Sequence, residues 1–507
     1  MDKENLTSVE GYLISLLAEI TGYDVSKIKL ESKVKDELSL DSSMLLELQN
    51  KLQLSYEDLD IKELLSKLIH KDPTVGDIIS EIKGNENVEC YRNPSINNLV
   101  EFPEIVSFNK YYQHMTSIMG DPYFRVNEGI ATNHLTSSDG VKRVNFSTYN
   151  YLGLNGDERI NSAVKVAIDR YGTSVSGSRL IGGEIEPHAL LEEKIASFLG
   201  VESAIVQVGG HSTNVNTIGN FVGKDDLILH DSLAHNSIIQ GAILSGAKRR
   251  FFKHNDMLHL ESRLKKLRSK YRRVLIVVEG VYSMDGDICD LPELIRLKEE
   301  YGAILMVDEA HSIGTIGENG RGVTSYYGIQ SDKIDILMGT LSKALNSCGG
   351  YIAGKRDFIN YLKYNSPGFV FSVGISPSNT MAAYMSLKLC DESPMLFDKL
   401  HENSAYLLSR LNDMGFDTLT SKNTPIIPLL VGESSKAISL SFELYKKGVY
   451  VMPIVYPAVK ETEARLRFFV SASHEKEDID FTVNALKECN NLLEQRLGTK
   501  EKEMTFL

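Results

Sequence analysis

The stretch Ile304-Leu305-Met306-Val307-Asp308-Glu309-Ala310-His311 runs from four apolar residues into an acid, with a histidine three places later. A short apolar run of this kind reads as a strand buried on both faces, as parallel sheets require. Asp308 then stands at the carboxyl edge, where open α/β sheets bind ligands. Asp308 could instead cap a helix, and Asp-Glu-Ala-His is also a helicase box. The helicase reading needs G-x-x-x-x-G-K-[ST] upstream. The nearest candidate, Gly219-Asn-Phe-Val-Gly223-Lys224-Asp225, fails the first spacing and the final hydroxyl, so that reading is discarded.

Similar runs lie on either side at Ala204–Val208, Leu275–Val278 and Ile336–Met338. They alternate with helical patterns such as Leu191–Leu199 and Leu291–Tyr301, the plan of an α/β domain with a mostly parallel sheet. This predicts a large domain over 149–394, preceded by an N-terminal segment at 100–148. From 395 the order becomes helix, strand (Ile426–Val431), helix, strand (Arg465–Val470), helix. That predicts a small C-terminal α+β domain over 395–498, with a tail at 499–507.

The 507 residues are 42% hydrophobic and 24% charged, the composition of a globular protein and not of a disordered or collagen-like chain. A net charge of −13 argues against sequence-independent nucleic-acid binding. The scattered Cys90, Cys289, Cys348, Cys390 and Cys489 form no C-x-x-C pair, so neither a metal site nor a disulfide framework is expected. The start, MDKENLTSVEGYLISLL, lacks a basic region before an apolar core and does not read as a secretory signal. No window approaches the roughly 18 apolar residues of a membrane span. A cytoplasmic location is expected.

A second strand end carries a lysine: Gly339-Thr340-Leu341-Ser342-Lys343, after Ile336–Met338 and before Gly349-Gly350. Most lysines are solvated surface groups. This one sits among hydroxyls and small residues, at a strand end again, in the next α/β unit after Asp308. Pyridoxal phosphate enzymes need this arrangement: a lysine to condense with the cofactor aldehyde, hydroxyls for its phosphate, and a carboxylate for its pyridinium nitrogen.

Seven blocks in order carry a family resemblance: Tyr149-Asn150-Tyr151-Leu152-Gly153-Leu154; Gly177-Ser-Arg-Leu-Ile-Gly-Gly-Glu184 with His188; Asp231-Ser-Leu-Ala-His235-Asn-Ser237; Glu279-Gly-Val-Tyr-Ser283-Met-Asp-Gly-Asp287; Asp308-Glu-Ala-His311; Gly339-Thr340-Leu-Ser342-Lys343; and Ala464-Arg465-Leu466-Arg467. Residues from about 100 to 495 thereby resemble the α-oxoamine synthases, pyridoxal phosphate enzymes of fold type I. The resemblance implies Lys343 as the Schiff-base lysine and the base at Cα, and Asp308 as the pyridinium partner. It implies His311 at the phenolate oxygen and His235 stacked on the ring. Gly210, His211, Thr340 and Ser342 would hold the phosphate, joined by Ser372 from the neighbouring subunit of a homodimer with shared active sites. Arg467 would clamp the amino-acid carboxylate through two parallel hydrogen bonds, with Arg465 as the next candidate. Asn150 and Ser283 would line the pocket.

The first 90 residues hold roughly twice as many acids as bases. Their apolar residues recur at helical spacing at Leu6–Ile20, Met44–Leu52, Ile61–Leu68 and Val75–Ile82. This predicts a four-helix unit over 1–84 and a polar linker at 85–99. Asp41-Ser42, opening the second helix, resembles the attachment site of acyl carrier proteins. The resemblance implies a 4′-phosphopantetheine on Ser42, with a phosphopantetheinyl transferase and an acyl-loading enzyme as partners. The plain alternative is a helix cap.

Together these expectations describe a decarboxylative condensation of an amino acid with an acyl thioester carried on Ser42, releasing an α-amino ketone, carbon dioxide and a free thiol. The alternatives are a synthase of the same family that takes acyl-coenzyme A, with the N-terminal bundle as a docking module, or a fold-type-I aminotransferase.

Overall fold

The computed structural model describes residues 9–38, 40, 42–56, 61, 64–65, 72–83, 98–119, 121, 123–456 and 458–504. The chain forms two compact units, one principally of residues up to 122 and one principally of residues from 123.

In the first unit, helices Val9–Thr21, Ser42–Ser55 and Val75–Lys83 bury the apolar stripes read from the sequence: Leu13, Leu16, Leu17 and Ile20; Met44, Leu48 and Leu52; Val75, Ile78, Ile79 and Ile82. Ile61, Leu64 and Leu65 are also buried, while much of the third expected helix falls outside the described residues. So does almost all of the expected linker. Helix Pro103–Met119 completes the unit.

The second unit is built on a seven-stranded sheet. Its strands in chain order are β1 (Ser203–Gln207), β2 (Leu227–Asp231), β3 (Lys248–Phe252), β4 (Val274–Glu279), β5 (Ile304–Asp308), β6 (Ile336–Thr340) and β7 (Gly350–Gly354). The spatial order is β1-β7-β6-β5-β4-β2-β3. Strands β2, β4, β5 and β6 are parallel, and β7 runs antiparallel between β6 and β1. Side chains alternate across the sheet, and helices cover both faces. Ile276, Val278, Leu305 and Val307 enter one core, and Leu275, Val277 and Met306 the other. This two-sided burial is why the strands read as unbroken apolar runs rather than alternating ones.

Strands β8 (Ile426–Gly432), β9 (Met452–Ile454) and β10 (Ala464–Phe469) form an antiparallel sheet in the order β8-β10-β9. Leu407 and Leu411 of helix Met395–Asp413, Leu440 and Leu444 of helix Ser434–Lys446, and Leu486 of helix Lys476–Met504 pack with it. The architecture is therefore a small all-α N-terminal region, a large fold-type-I α/β domain and a small C-terminal α+β domain. Among the described residues no helix is long and apolar enough to cross a membrane.

Candidate active site

Four parallel strands end on polar residues: β2 on Asp231, β4 on Glu279, β5 on Asp308 and β6 on Thr340. The apolar runs stop where the sheet's carboxyl edge opens, so the chemistry collects there.

Lys343 lies in the turn from β6 to β7. Asn346, at φ 49°, takes the left-handed conformation that lets the chain double back, and Leu341 N–H donates to Gly349 O at 3.0 Å. The Lys343 Nζ lies 5.6 Å from the centre of the Tyr149 ring. Burial pulls its ammonium down to about 8, against the opposing pull of Asp308.

Asp308 is buried. Its Oδ2 accepts from Asn214 Nδ2 at 2.7 Å and its Oδ1 from Ala310 N–H at 2.9 Å. His311 is buried beside it, with the Tyr151 hydroxyl 2.9 Å from Nδ1. Burial raises the tyrosine and drives the histidine well below its usual range. Both groups are therefore neutral, and the short contact orients the His311 ring.

His235 caps helix Asn236–Leu244 with its own ring: Ser237 N–H donates to Nδ1 at 3.3 Å, and the Ser237 hydroxyl lies 2.7 Å from the same nitrogen. Withdrawal from water lowers its pKa, which the attraction of Asp308 only partly offsets.

Gly210 opens helix Gly210–Phe221 at the end of β1. A Cβ there would lie 2.8 Å from Thr340 Oγ1, so only glycine lets the helix start approach the two hydroxyls, Thr340 and Ser342, which are 2.8 Å apart. The first-turn N–H groups of a helix have no partner within it, which suits them to a phosphate. His211 follows on the same turn, its ring set edge-on to His235 at 6.2 Å. Lysine, buried carboxylate and this cradle fit pyridoxal phosphate.

Arg467 Nη1 donates to Ser283 O at 2.9 Å, while its buried Nε has no acceptor. Asn150 likewise keeps a buried Nδ2 without one, its Oδ1 accepting from Asn155 N–H at 3.2 Å. Arg465, two residues along β10, is already committed to Asp285 and to Glu463 O. The next-candidate clamp is thus a structural ion pair, which leaves Arg467 as the arginine with a spare donor. Ser372 lies on the segment beside exposed Phe371, next to Val373, which bridges to Ser178; among the described residues no hydrogen bond ties it to Lys343. Ser42 begins its helix in the other unit, and Asp41 lies outside the described residues.

Two residues that sequence reasoning passed over belong to the cluster. Asn214 was hidden in an ordinary helical stretch; the available signal was its place one turn after Gly210, on the same helix face. His254 donates both ring protons, to Asp231 at 2.9 Å and to Asp287 at 2.9 Å, and this double pairing raises it to about 10. His254, Asp285 and Asp287 are close enough together to hold a cation, but both imidazole nitrogens are already spent. His254→Ala strands two carboxylates and is expected to cost on the order of 3 kcal/mol near pH 6. A raised pKa contributes fully below the unfolded value of about 6.5 and fades as pH climbs to about 10. Denaturant midpoints of the two proteins should therefore converge toward pH 10; a gap that stays constant across that range would refute the ion pair.

An α/β sheet with lysine, carboxylate and phosphate cradle at one carboxyl edge defines a fold-type-I pyridoxal phosphate enzyme. The family described as aminotransferase class I and II matches residues 141–486. The chain is 41% identical over 355 residues to 8-amino-7-oxononanoate synthase of Thermoanaerobacter pseudethanolicus, covering 70% of this chain and 89% of that one. It is 38% identical over 375 residues to human serine palmitoyltransferase 3, covering 71% and 68%. A solved serine palmitoyltransferase of Sphingomonas wittichii superposes with a TM-score of 0.74 at 30% identity, covering 78% of this chain and 98% of that one. The chain belongs to this family, in its α-oxoamine synthase branch, and is a pyridoxal-phosphate-dependent C-acyltransferase.

These relatives correct the expected acyl delivery. Nearly all of the solved serine palmitoyltransferase chain is matched by 78% of this one, so the condensing enzyme is whole without the N-terminal unit. A donor bound covalently to Ser42, its 4′-phosphopantetheine, and the transferase and acyl-loading partners are accordingly withdrawn. A carrier-type serine and an ordinary helix opening have the same local sequence, because both place a small polar residue at the first turn.

Proposed function

We propose that the chain condenses an amino acid with a diffusible acyl-coenzyme A-type thioester, with loss of carbon dioxide, to give an α-amino ketone. The observation that carries this reading is the convergence of Lys343, Asp308 and the Gly210–Thr340–Ser342 cradle at one sheet edge, in a chain whose relatives are condensing synthases. Bound there, pyridoxal phosphate supplies an electron sink for negative charge at the amino-acid Cα.

The protein's residues do the rest. Asp308 offers its buried carboxylate to the cofactor nitrogen, held in place by Asn214 and by the Ala310 N–H. Lys343 Nζ moves the Cα proton. With its ammonium at about 8, roughly a tenth of the amine is neutral at pH 7. His311 would donate toward the cofactor's phenolate oxygen, and His235 would lie against the ring face. Arg467 and Asn150 present spare donors to the substrate carboxylate. In support of the family roles, Ser283 adjoins Arg467 through its carbonyl.

The test supplies glycine, alanine or serine with acyl-coenzyme A donors of medium and long chain to the holoenzyme. Free thiol and carbon dioxide should appear in equal amounts. Thiol release without carbon dioxide, or amino-group transfer to an oxo acid alone, would rule the reaction out. Arg467→Ala should raise the amino-acid KM about 100-fold, the scale of one charge-assisted bidentate contact, and leave the acyl-donor KM nearly unchanged. Ser42→Ala should keep wild-type turnover with a coenzyme A donor; loss of that turnover would restore the carrier.

A further inference from the structure

We infer that Glu279 is a positioning residue of this site, an uncharged carboxyl that fixes His235 and leaves Asp308 as the anion beside Lys343. The inference rests on the reading above. Glu279 and Asp308 are the last residues of neighbouring parallel strands and stand opposite each other in register. Both are buried.

Glu279 Oε1 accepts the His235 backbone N–H at 2.7 Å. The imidazole is held separately, by Ser237. The Ser237 hydroxyl in turn accepts from Asn214 Nδ2 at 2.9 Å, and that amide also donates to Asp308. A continuous path therefore runs from Glu279 through His235, Ser237 and Asn214 to Asp308, and the strand register closes it. His235 is pinned at backbone and ring by the same network that presents Asp308.

The charges favour one anion over two. Among the described residues Asp308 has two donors, whereas Glu279 has the one backbone N–H. The charged and titratable groups that face Glu279 are Asp308, Asp231, Lys343, His235 and Tyr282; Arg467 also acts on Lys343 and His235. A second buried negative charge beside Asp308 would be desolvated and repelled. Burial first, and then Asp308, push Glu279 well above the carboxylate range. An anionic Glu279 would hold a proton on Lys343 and slow its work as a base.

The test compares wild type, Glu279→Gln and Glu279→Met, each saturated with pyridoxal phosphate. Glutamine keeps shape and acceptor without charge; methionine keeps volume without the acceptor. In Glu279→Gln the pH midpoint of the visible cofactor band should stay within about 0.5 unit of wild type, and kcat within about threefold. In Glu279→Met kcat should fall about 30-fold with the amino-acid KM within about threefold, because the backbone that carries the His235 ring is no longer held. A Glu279→Gln midpoint lowered by about one unit or more would mean a charged Glu279 and overturn the inference. So would wild-type kinetics in Glu279→Met. Should that variant not fold, the Glu279→Gln midpoint decides alone. A wild-type protein that develops no visible band overturns the underlying reading and this inference with it, a result distinct from a band whose midpoint moves.

Discussion

Lys343→Ala should leave a folded protein with no covalent hold on its cofactor and no measurable turnover, a loss of at least about 10⁴-fold. The size follows from the number of tasks this amine performs. In the proposed reaction it condenses with the cofactor aldehyde, and once displaced it is the base that takes the Cα proton. Alanine does neither. Its tuning adds to the effect, since an ammonium lowered to about 8 offers far more neutral amine at pH 7 than an ordinary lysine. Truncation removes a cation from beside Asp308 and Glu279 but touches no backbone hydrogen bond of the turn, which Asn346 and the Leu341–Gly349 contact hold. The fold should therefore survive. Borohydride should fix labelled pyridoxal phosphate to wild type and not to the variant, and only wild type should show the visible band. Fixation at another lysine, or turnover within about 100-fold of wild type, would refute the assignment.

Asp308→Asn should cost about 10³-fold in kcat while preserving the fold. A unit-charge contact at about 4 Å and an effective dielectric near 20 is worth about 4 kcal/mol, which is close to three powers of ten. Asparagine has nearly the same shape and removes only the charge. It also turns the contact with Asn214 into an amide pair, in which an NH₂ group can face the Asn214 donor; that should loosen cofactor binding as well. A cofactor titration and a kcat measurement on the same preparation separate the two effects. A variant whose kcat falls less than about tenfold would show that the carboxylate charge is not what the reaction uses.

Much of this site was legible because it is local. Each motif is a strand followed by its first loop residues, and a buried parallel strand must end where its apolar run ends. Asp308 and Lys343 could be placed at the sheet edge from hydropathy alone, and the seven blocks assigned roles to the residues around them. The two-sided core made the same runs plain. Arg465 and Arg467 were not separable in this way: they share one strand and one face, and only Asp285, brought across from a distant loop, shows which guanidinium is already taken. The carrier reading failed for a related reason. Ser42 opens a helix whether or not it bears an arm, and the answer lay in how much of the relatives the remaining chain accounts for.

The amino-acid order by itself determined which residues end the strands, because that follows from hydropathy, and the resemblance carried by the seven blocks paired Lys343 with Asp308 and put Gly210 at the phosphate. The tertiary structure alone decided that Glu279 stands beside Asp308, that Asn214 links Asp308 to Ser237, and that His254 spans two aspartates. Those contacts join segments from different strands and loops, and the register that creates them is set by the packing of the whole sheet rather than by any stretch within it.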